Sequence, residues 1–193
     1  MTDDLPNGPA RTLLHDRHVH CRGYLRDDGL IDIEGSIVDV KPVPSQTLYK
    51  TVEAGEPFHL MRMLLTVDMD FVIQDVKAFT EAAPTPICGN IASAYEALRG
   101  LKIGPGFKKQ VSQRVGGVHG CTHLTELLGP MATTLYQTTF ELMRKLENEK
   151  AARDPDYQST RNNWVIGTCH AYHPDSEVTR KLLALGAETN RKE

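Results

Sequence analysis

The chain reads as an α+β domain, with an antiparallel sheet in its N-terminal half packed against helices of its C-terminal half. Two observations predict this. Apolar and polar residues alternate with period two only between about residues 18 and 80, and from about residue 90 onward apolar residues recur at helical spacing instead. At 193 residues and 40% hydrophobic, the chain can bury one sizeable core but is too short for two full-sized domains. Residues 1–12 are polar, broken by Pro and Gly, and aperiodic, so they read as a flexible tail preceding a single domain over 13–193.

The elements follow in order. His18 to Arg26 and Leu30 to Val40 alternate, and Asp27-Asp28-Gly29 between them supplies hairpin-turn chemistry. Pro42, Pro44 and Ser45 interrupt the pattern. After the turn at Gly55-Glu56-Pro57, Phe58 to Val67 and Phe71 to Thr80 form a second strand pair around Asp68-Met69-Asp70. Beyond Pro84-Thr85-Pro86, Asn90 to Leu98 reads as a short helix closed by Gly100, and Gly104-Pro105-Gly106 leads to a second over Phe107 to Val115. Gly116-Gly117 precedes the longest helical pattern, Thr122 to about Lys150, with Leu124, Leu127, Leu128, Met131, Leu135, Leu142 and Leu146 in one stripe. Gly129-Pro130 is a candidate kink in it. An Arg- and Asp-rich connection, 151–163, leads to a short apolar segment from Trp164 to Ile166. A last amphipathic helix spans Asp175 to about Leu185.

The 22 basic residues nearly balance the 25 acidic ones. That removes the electrostatic case for a nucleic-acid or polybasic membrane partner. No apolar run approaches the roughly 20 residues of a bilayer span, and the opening MTDDLPNGPA lacks the regions of a signal peptide. The expectation is a cytoplasmic protein with a small-molecule partner and room for self-association through the Leu and Met stripe. In a reducing compartment the four cysteines, Cys21, Cys88, Cys121 and Cys169, are free thiols or metal ligands before they are disulfides. Eight histidines make metal chemistry an early candidate.

The densest constellation is Gly116 to Leu124, where His119, Cys121 and His123 fall within five residues at the start of the long helix. Unpaired amides and the macrodipole there favour thiolate, the form that binds metal or attacks an electrophile. The spacing matches no zinc finger or ribbon, so further ligands must come from afar; Cys88 and His59 are the candidates. Each of those alone is more often structural. In the hairpin, Tyr24 and Asp28 are candidate acid–base groups and Arg26 a candidate anchor for an anionic or phenolic oxygen, although Asp-Asp-Gly is also ordinary turn chemistry. Alternation separates His18 and His20 from Cys21, which leaves that cluster outside the site. Cys169 and His170 are held in reserve.

The runs Gly23 to Gly35 (GYLRDDGLIDIEG), His59-Leu60-Met61, Cys88, Gly120 to Leu124 (GCTHL) and Cys169-His170-Ala171 resemble a bacterial family known only as a domain of unknown function. The resemblance covers about Arg17 to Leu183. It implies a setting of aromatic and lignin-dimer catabolism, where relatives include a lyase releasing formaldehyde from a phenylcoumaran. More distantly, the order of strands, Ile73 to Phe79, a Cys leading into a helix and a later Cys/His pair is similar to U-type iron-sulfur scaffold proteins. That similarity implies His59, Cys88 and Cys121 as successive ligands, completed by His119 or His123. With imidazole at the first place, the set favours zinc or mononuclear iron over a cluster.

The expectation is therefore a metal-dependent lyase acting on a small aromatic substrate, with zinc or iron held by His59, Cys88, Cys121 and His123 or His119. Tyr24, Asp28 and Arg26 would serve its proton transfers and substrate binding. Two alternatives remain: a zinc or iron-sulfur carrier, and a metal-free enzyme using Cys121 as nucleophile beside His119 or His123.

Overall fold

A computed structural model describes residues 9–154, 157 and 165–189. Of the elements expected from the sequence, residues 1–8 of the tail, most of 155–163 and Trp164 lie outside the described residues. The architecture is α+β, with the antiparallel sheet first and the helices after it. Residues up to 139 and from 140 onward form two compact units.

In the first unit, β1 (Asp16–Leu25), β2 (Ile31–Val40), β5 (Pro57–Val67) and β6 (Ile73–Ala82) form a four-stranded sheet in the order β1-β2-β5-β6. All neighbours are antiparallel. The β1–β2 hairpin closes as its turn residues dictate, with Gly29 at φ 83° and Arg26 N–H donating to Leu30 O at 2.9 Å. Two short strands absent from the sequence reading, β3 (Ser45–Gln46) and β4 (Thr51–Val52), make a small separate sheet. The turn before β6 runs longer than expected: Phe71 takes φ 66°, and Asp68 Oδ1 accepts from the amides of Asp70 and Val72 at 2.8 and 2.9 Å.

The segment expected as a helix from Asn90 is a 3-10 stretch beginning earlier, Pro86–Leu98. Helix α1 (Phe107–Val115) falls where its pattern predicts, and α2 (Thr122–Arg153) continues unbroken through Pro130. One face of β2 and β5, carrying Ile31, Ile33, Ile37, Met61, Met63 and Leu65, is buried. Against it lie Leu124, Leu127, Leu128, Met131 and Leu135 of α2, all likewise buried. Two glycines let the helix approach. A Cβ on Gly23 would fall 1.9 Å from Thr138 Oγ1, and one on Gly35 2.6 Å from Met131 Sδ. These contacts fix the direction of α2 over the hairpin: its residue 138 overlies the turn end of β1, and its first turn lies toward the opposite end of the strands.

The second unit contains the end of α2 and α3 (Glu177–Thr189). Ser176 caps α3, its Oγ accepting from the Thr179 amide at 3.1 Å, and Lys181 pairs with Glu177 one turn earlier at 2.7 Å.

Candidate metal centre

Strand alternation builds the site. Ile31, Ile33, Gly35, Ile37 and Asp39 share the helix-facing side of β2, so Asp39 is carried into the interior as the last residue of an apolar row. In register, Asp39 faces Arg17 on β1 and His59 on β5. The first turn of α2 brings His123 to the same end. The carboxylate of Asp39 has no exposed surface, and the side chains of His59 and His123 are 14% and 20% exposed.

Five nitrogens surround the two carboxylate oxygens. Arg17 donates from Nε to Oδ1 at 2.6 Å and from Nη2 to Oδ2 at 2.8 Å. His15 Nε2 lies 3.1 Å from Oδ1, His59 Nδ1 3.0 Å from Oδ2, and His123 Nε2 3.4 Å from Oδ2. The two inner imidazoles stack, their centroids 3.7 Å apart at 29°. Arg17 also reaches outward, donating from Nη1 to Glu126 Oε2 at 2.6 Å, so one guanidinium joins the buried acid to a carboxylate on the outer side of α2.

The protonation states follow from this packing. Burial alone would raise the Asp39 pKa, but the hydrogen bond and charge of Arg17, aided by His15, outweigh it and hold the group at about 2. Burial lowers the pKa of His59, and the neighbouring His123 lowers it further against the pull of Asp39. Burial lowers His123 as well, again opposed by Asp39. At neutral pH the site thus holds an ionised carboxylate and two neutral imidazoles, the forms that ligate a metal.

The donor geometry fits a cation. Metal–ligand bonds of about 2.0–2.2 Å in tetrahedral arrangement put ligand atoms about 3.4 Å apart, and Asp39 Oδ2 stands 3.0 and 3.4 Å from the two histidine nitrogens. The three ligand atoms all lie within 4.8 Å of one another. Arg17 would then hold the ligating carboxylate in orientation, as hydrogen-bonded partners of metal ligands do.

The structure divides the ligand set expected from the sequence. His59 and His123 meet, and their third companion is Asp39 rather than a thiol. Cys88 lies in the 3-10 segment with its Sγ 2.9 Å from Thr85 Oγ1. Cys121 opens the turn before α2, where Tyr95 Oη accepts from its amide at 2.9 Å and lies 2.7 Å from its carbonyl oxygen; it borders a groove between α1 and α2. His119, in the 3-10 turn Gly117–His119, is exposed.

Tyr24, Arg26 and Asp28 sit at the turn end of the hairpin, seven residues along β1 from Arg17, roughly 23 Å at strand rise. There they serve one another and the turn. Arg26 Nη2 donates to Asp28 Oδ2 at 2.6 Å, and Tyr24 Oη donates to Glu34 Oε2 at 3.3 Å. His18 pairs with Asp16 at 2.9 Å, on the face opposite Cys21. Cys169 is exposed in the second unit.

The model of the family described as "Protein of unknown function (DUF2889)" matches residues 15–137. The chain belongs to that family. The matched span begins at His15, includes Arg17, Asp39, His59, His123 and Glu126, and ends two residues before the boundary of the first compact unit. No curated protein and no solved structure matches the chain.

Proposed function

We propose that this chain is an enzyme that holds a divalent metal ion, zinc or iron, between Asp39, His59 and His123. The observation that carries the reading is the convergence of one fully buried carboxylate and two neutral imidazoles at ligand-to-ligand distances. Without a thiolate the donors are of borderline hardness, which suits zinc or mononuclear ferrous iron and disfavours an iron-sulfur cluster. Three protein ligands leave positions for a substrate oxygen, and the partial exposure of both imidazoles leaves an approach to them. The ion would supply Lewis-acid polarisation. Asp39 contributes the compensating charge, Arg17 fixes its plane, and His15, half-exposed on the other carboxylate oxygen, is placed to exchange a proton with a bound substrate.

The substrate class rests on the resemblance to formaldehyde-releasing lyases of phenylcoumaran catabolism, which supports carbon–carbon cleavage of a small aromatic molecule. The groove between α1 and α2, about 1180 Å³ and bordered by Phe107, Val111, Leu128 and Tyr136, has the volume and apolar character for a two-ring phenolic compound. None of Asp39, His59 and His123 lines it, and it approaches the site through Glu126, the partner of Arg17.

A second reading is favoured by the fork of Arg17, which already occupies both oxygens of Asp39. In it no metal binds, and Asp39 orients His59 through Nδ1 so that Nε2 acts as general base.

Metal analysis of protein made without a histidine tag separates the two. The metal reading expects one equivalent per chain, lost in His59→Ala and in His123→Ala and kept in Cys88→Ser and Cys121→Ser. Wild-type protein that retains no zinc, iron or manganese after reconstitution, or a Cys121→Ser protein stripped of its metal, would overturn it. Formaldehyde release from a phenylcoumaran by the loaded protein tests the substrate class.

A further inference from the structure

The two edges of the sheet are finished differently. At β6 the start of the strand is covered: Ile73 N–H donates to Leu101 O at 2.9 Å, Gly100 N–H donates to Ile73 O at 2.8 Å, and Val72 bridges Lys102. Register shifts interrupt the β5–β6 ladder at both ends. At β1 none of these devices is present among the described residues. The strand is ten residues long, keeps an unshifted register with β2 from Asp16 to Leu25, and contains neither Pro nor Lys. Such an edge is a template for another strand.

The hairpin fixes which groups the edge offers. Arg26 and Leu30 are hydrogen-bonded across the turn, so even-numbered residues of β1 aim their amides and carbonyls at β2. The odd ones, Arg17, Val19, Cys21 and Gly23, aim theirs outward. A second copy of β1 running antiparallel about a two-fold axis always sets odd residues against odd ones, so the outward groups of both copies can pair.

One register also satisfies the side chains. With Val19 opposite the partner's Val19, Asp16 falls opposite the partner's Arg22 on the same face. Extended back through residues 13–15, this register sets Leu13 against the partner's Leu25 and Leu14 against the partner's Tyr24. Leu13, Leu14, Val19, Tyr24 and Leu25 are the large apolar side chains exposed between residues 9 and 25, and every one of them meets another. His15 falls opposite the partner's Gly23, which brings no side chain of its own to the pair and is covered by Thr138 of α2. Moving the axis to His20 sets Leu14 against the partner's Arg26, Leu13 against its Asp27 and Asp16 against its Tyr24. Moving it to His18 sets Leu14 against the partner's Arg22. Both shifts lose the charge pair and the leucine pairs together.

We propose that β1 is a homodimer interface, pairing antiparallel with β1 of a second copy about Val19 and joining two four-stranded sheets into one continuous sheet. The partner is a second copy of this chain because the complementarity of charge and apolar side chains is with the strand itself.

Sedimentation equilibrium of the full chain is expected to give twice its 21.5 kDa mass. Asp16→Arg and Arg22→Asp should each weaken association roughly tenfold, since each turns both symmetry-related pairs repulsive, and the double variant should recover most of the loss. Val19→Cys tests the register without altering charge. Paired residues on the axis have Cα atoms about 5.5 Å apart, within disulfide range. It should therefore oxidise to a cross-linked dimer, while Leu48→Cys, an exposed cysteine elsewhere, should not. A chain that stays monomeric up to its solubility limit would overturn the proposal. So would a dimer in which Val19→Cys fails to cross-link, or one indifferent to all three charge variants.

Discussion

Asp39 concentrates the chemistry of the first unit in one residue, and its environment makes the metal-free protein acid-sensitive in two stages. The histidines titrate first. Their folded pKa values are depressed below the ordinary 6.5 by burial, so on acidification the unfolded chain takes up protons before the folded one does. Stability is full above about pH 6.5, falls as the pH drops below it, and levels off once the folded-state values are passed. Asp39 behaves as a depressed carboxylate. Its contribution is present above its ordinary 3.8 and is lost as the pH falls toward about 2, a loss of about 2 kcal/mol. Urea unfolding followed from pH 8 to pH 3 checks the first stage. Replacing His59 and His123 together by Gln should flatten it, and persistence of the full slope in that variant would refute the assignment.

At the scale of elements, much was legible. The hairpin, the second strand pair, α1 and the start of α2 lie within two residues of where alternation, turn chemistry and helical spacing put them, because each signal is local. Pro86–Leu98 departs from expectation as a 3-10 segment that starts four residues early, with Pro86 providing a preset φ at its first position. The site was half legible. His59 and His123 stood out as histidines. Asp39 did not, although the alternation Ile31, Ile33, Gly35, Ile37, Asp39 placed an acid on the core face, which is a signal for a buried charge needing partners. The thiols drew attention through crowding near a helix terminus, yet which distant side chains meet depends on strand register and helix direction, and spacing along the chain encodes neither. The glycines that set this direction give a graded expectation. Gly23→Ala pushes a methyl group into the branched, helix-bound Thr138 and should cost about 2 kcal/mol. Gly35→Ala meets the end of a flexible Met131 and should cost about 1 kcal/mol or less. Denaturant midpoints at constant slope compare the two. Equal costs would argue that the helix shifts as a body.

For the whole molecule, the family match over 15–137 and the compact unit ending at residue 139 mark nearly the same boundary by independent means. Every member of the candidate cation site lies inside it. A chain of residues 1–139 should therefore unfold cooperatively and retain the metal stoichiometry of the full protein. Calorimetry with metal analysis checks this, and a truncated chain lacking a thermal transition would show that the remaining residues are needed for folding. No helix among the described residues is long and apolar enough to cross a membrane.

The buried phenol of Tyr95 grips Cys121 by both its amide and its carbonyl, and it also touches Thr125 at 2.7 Å. Two residues after this clasp comes His123, so the aim of that imidazole is inherited from a side chain outside the Asp39–His59–His123 cluster. Warming that loosens the 3-10 segment would let the ring wander while the strands beneath still hold. Loss of the stacking between His59 and His123 would then come at a lower temperature than melting, and the margin between them would measure how firmly a single hydroxyl fastens the helix.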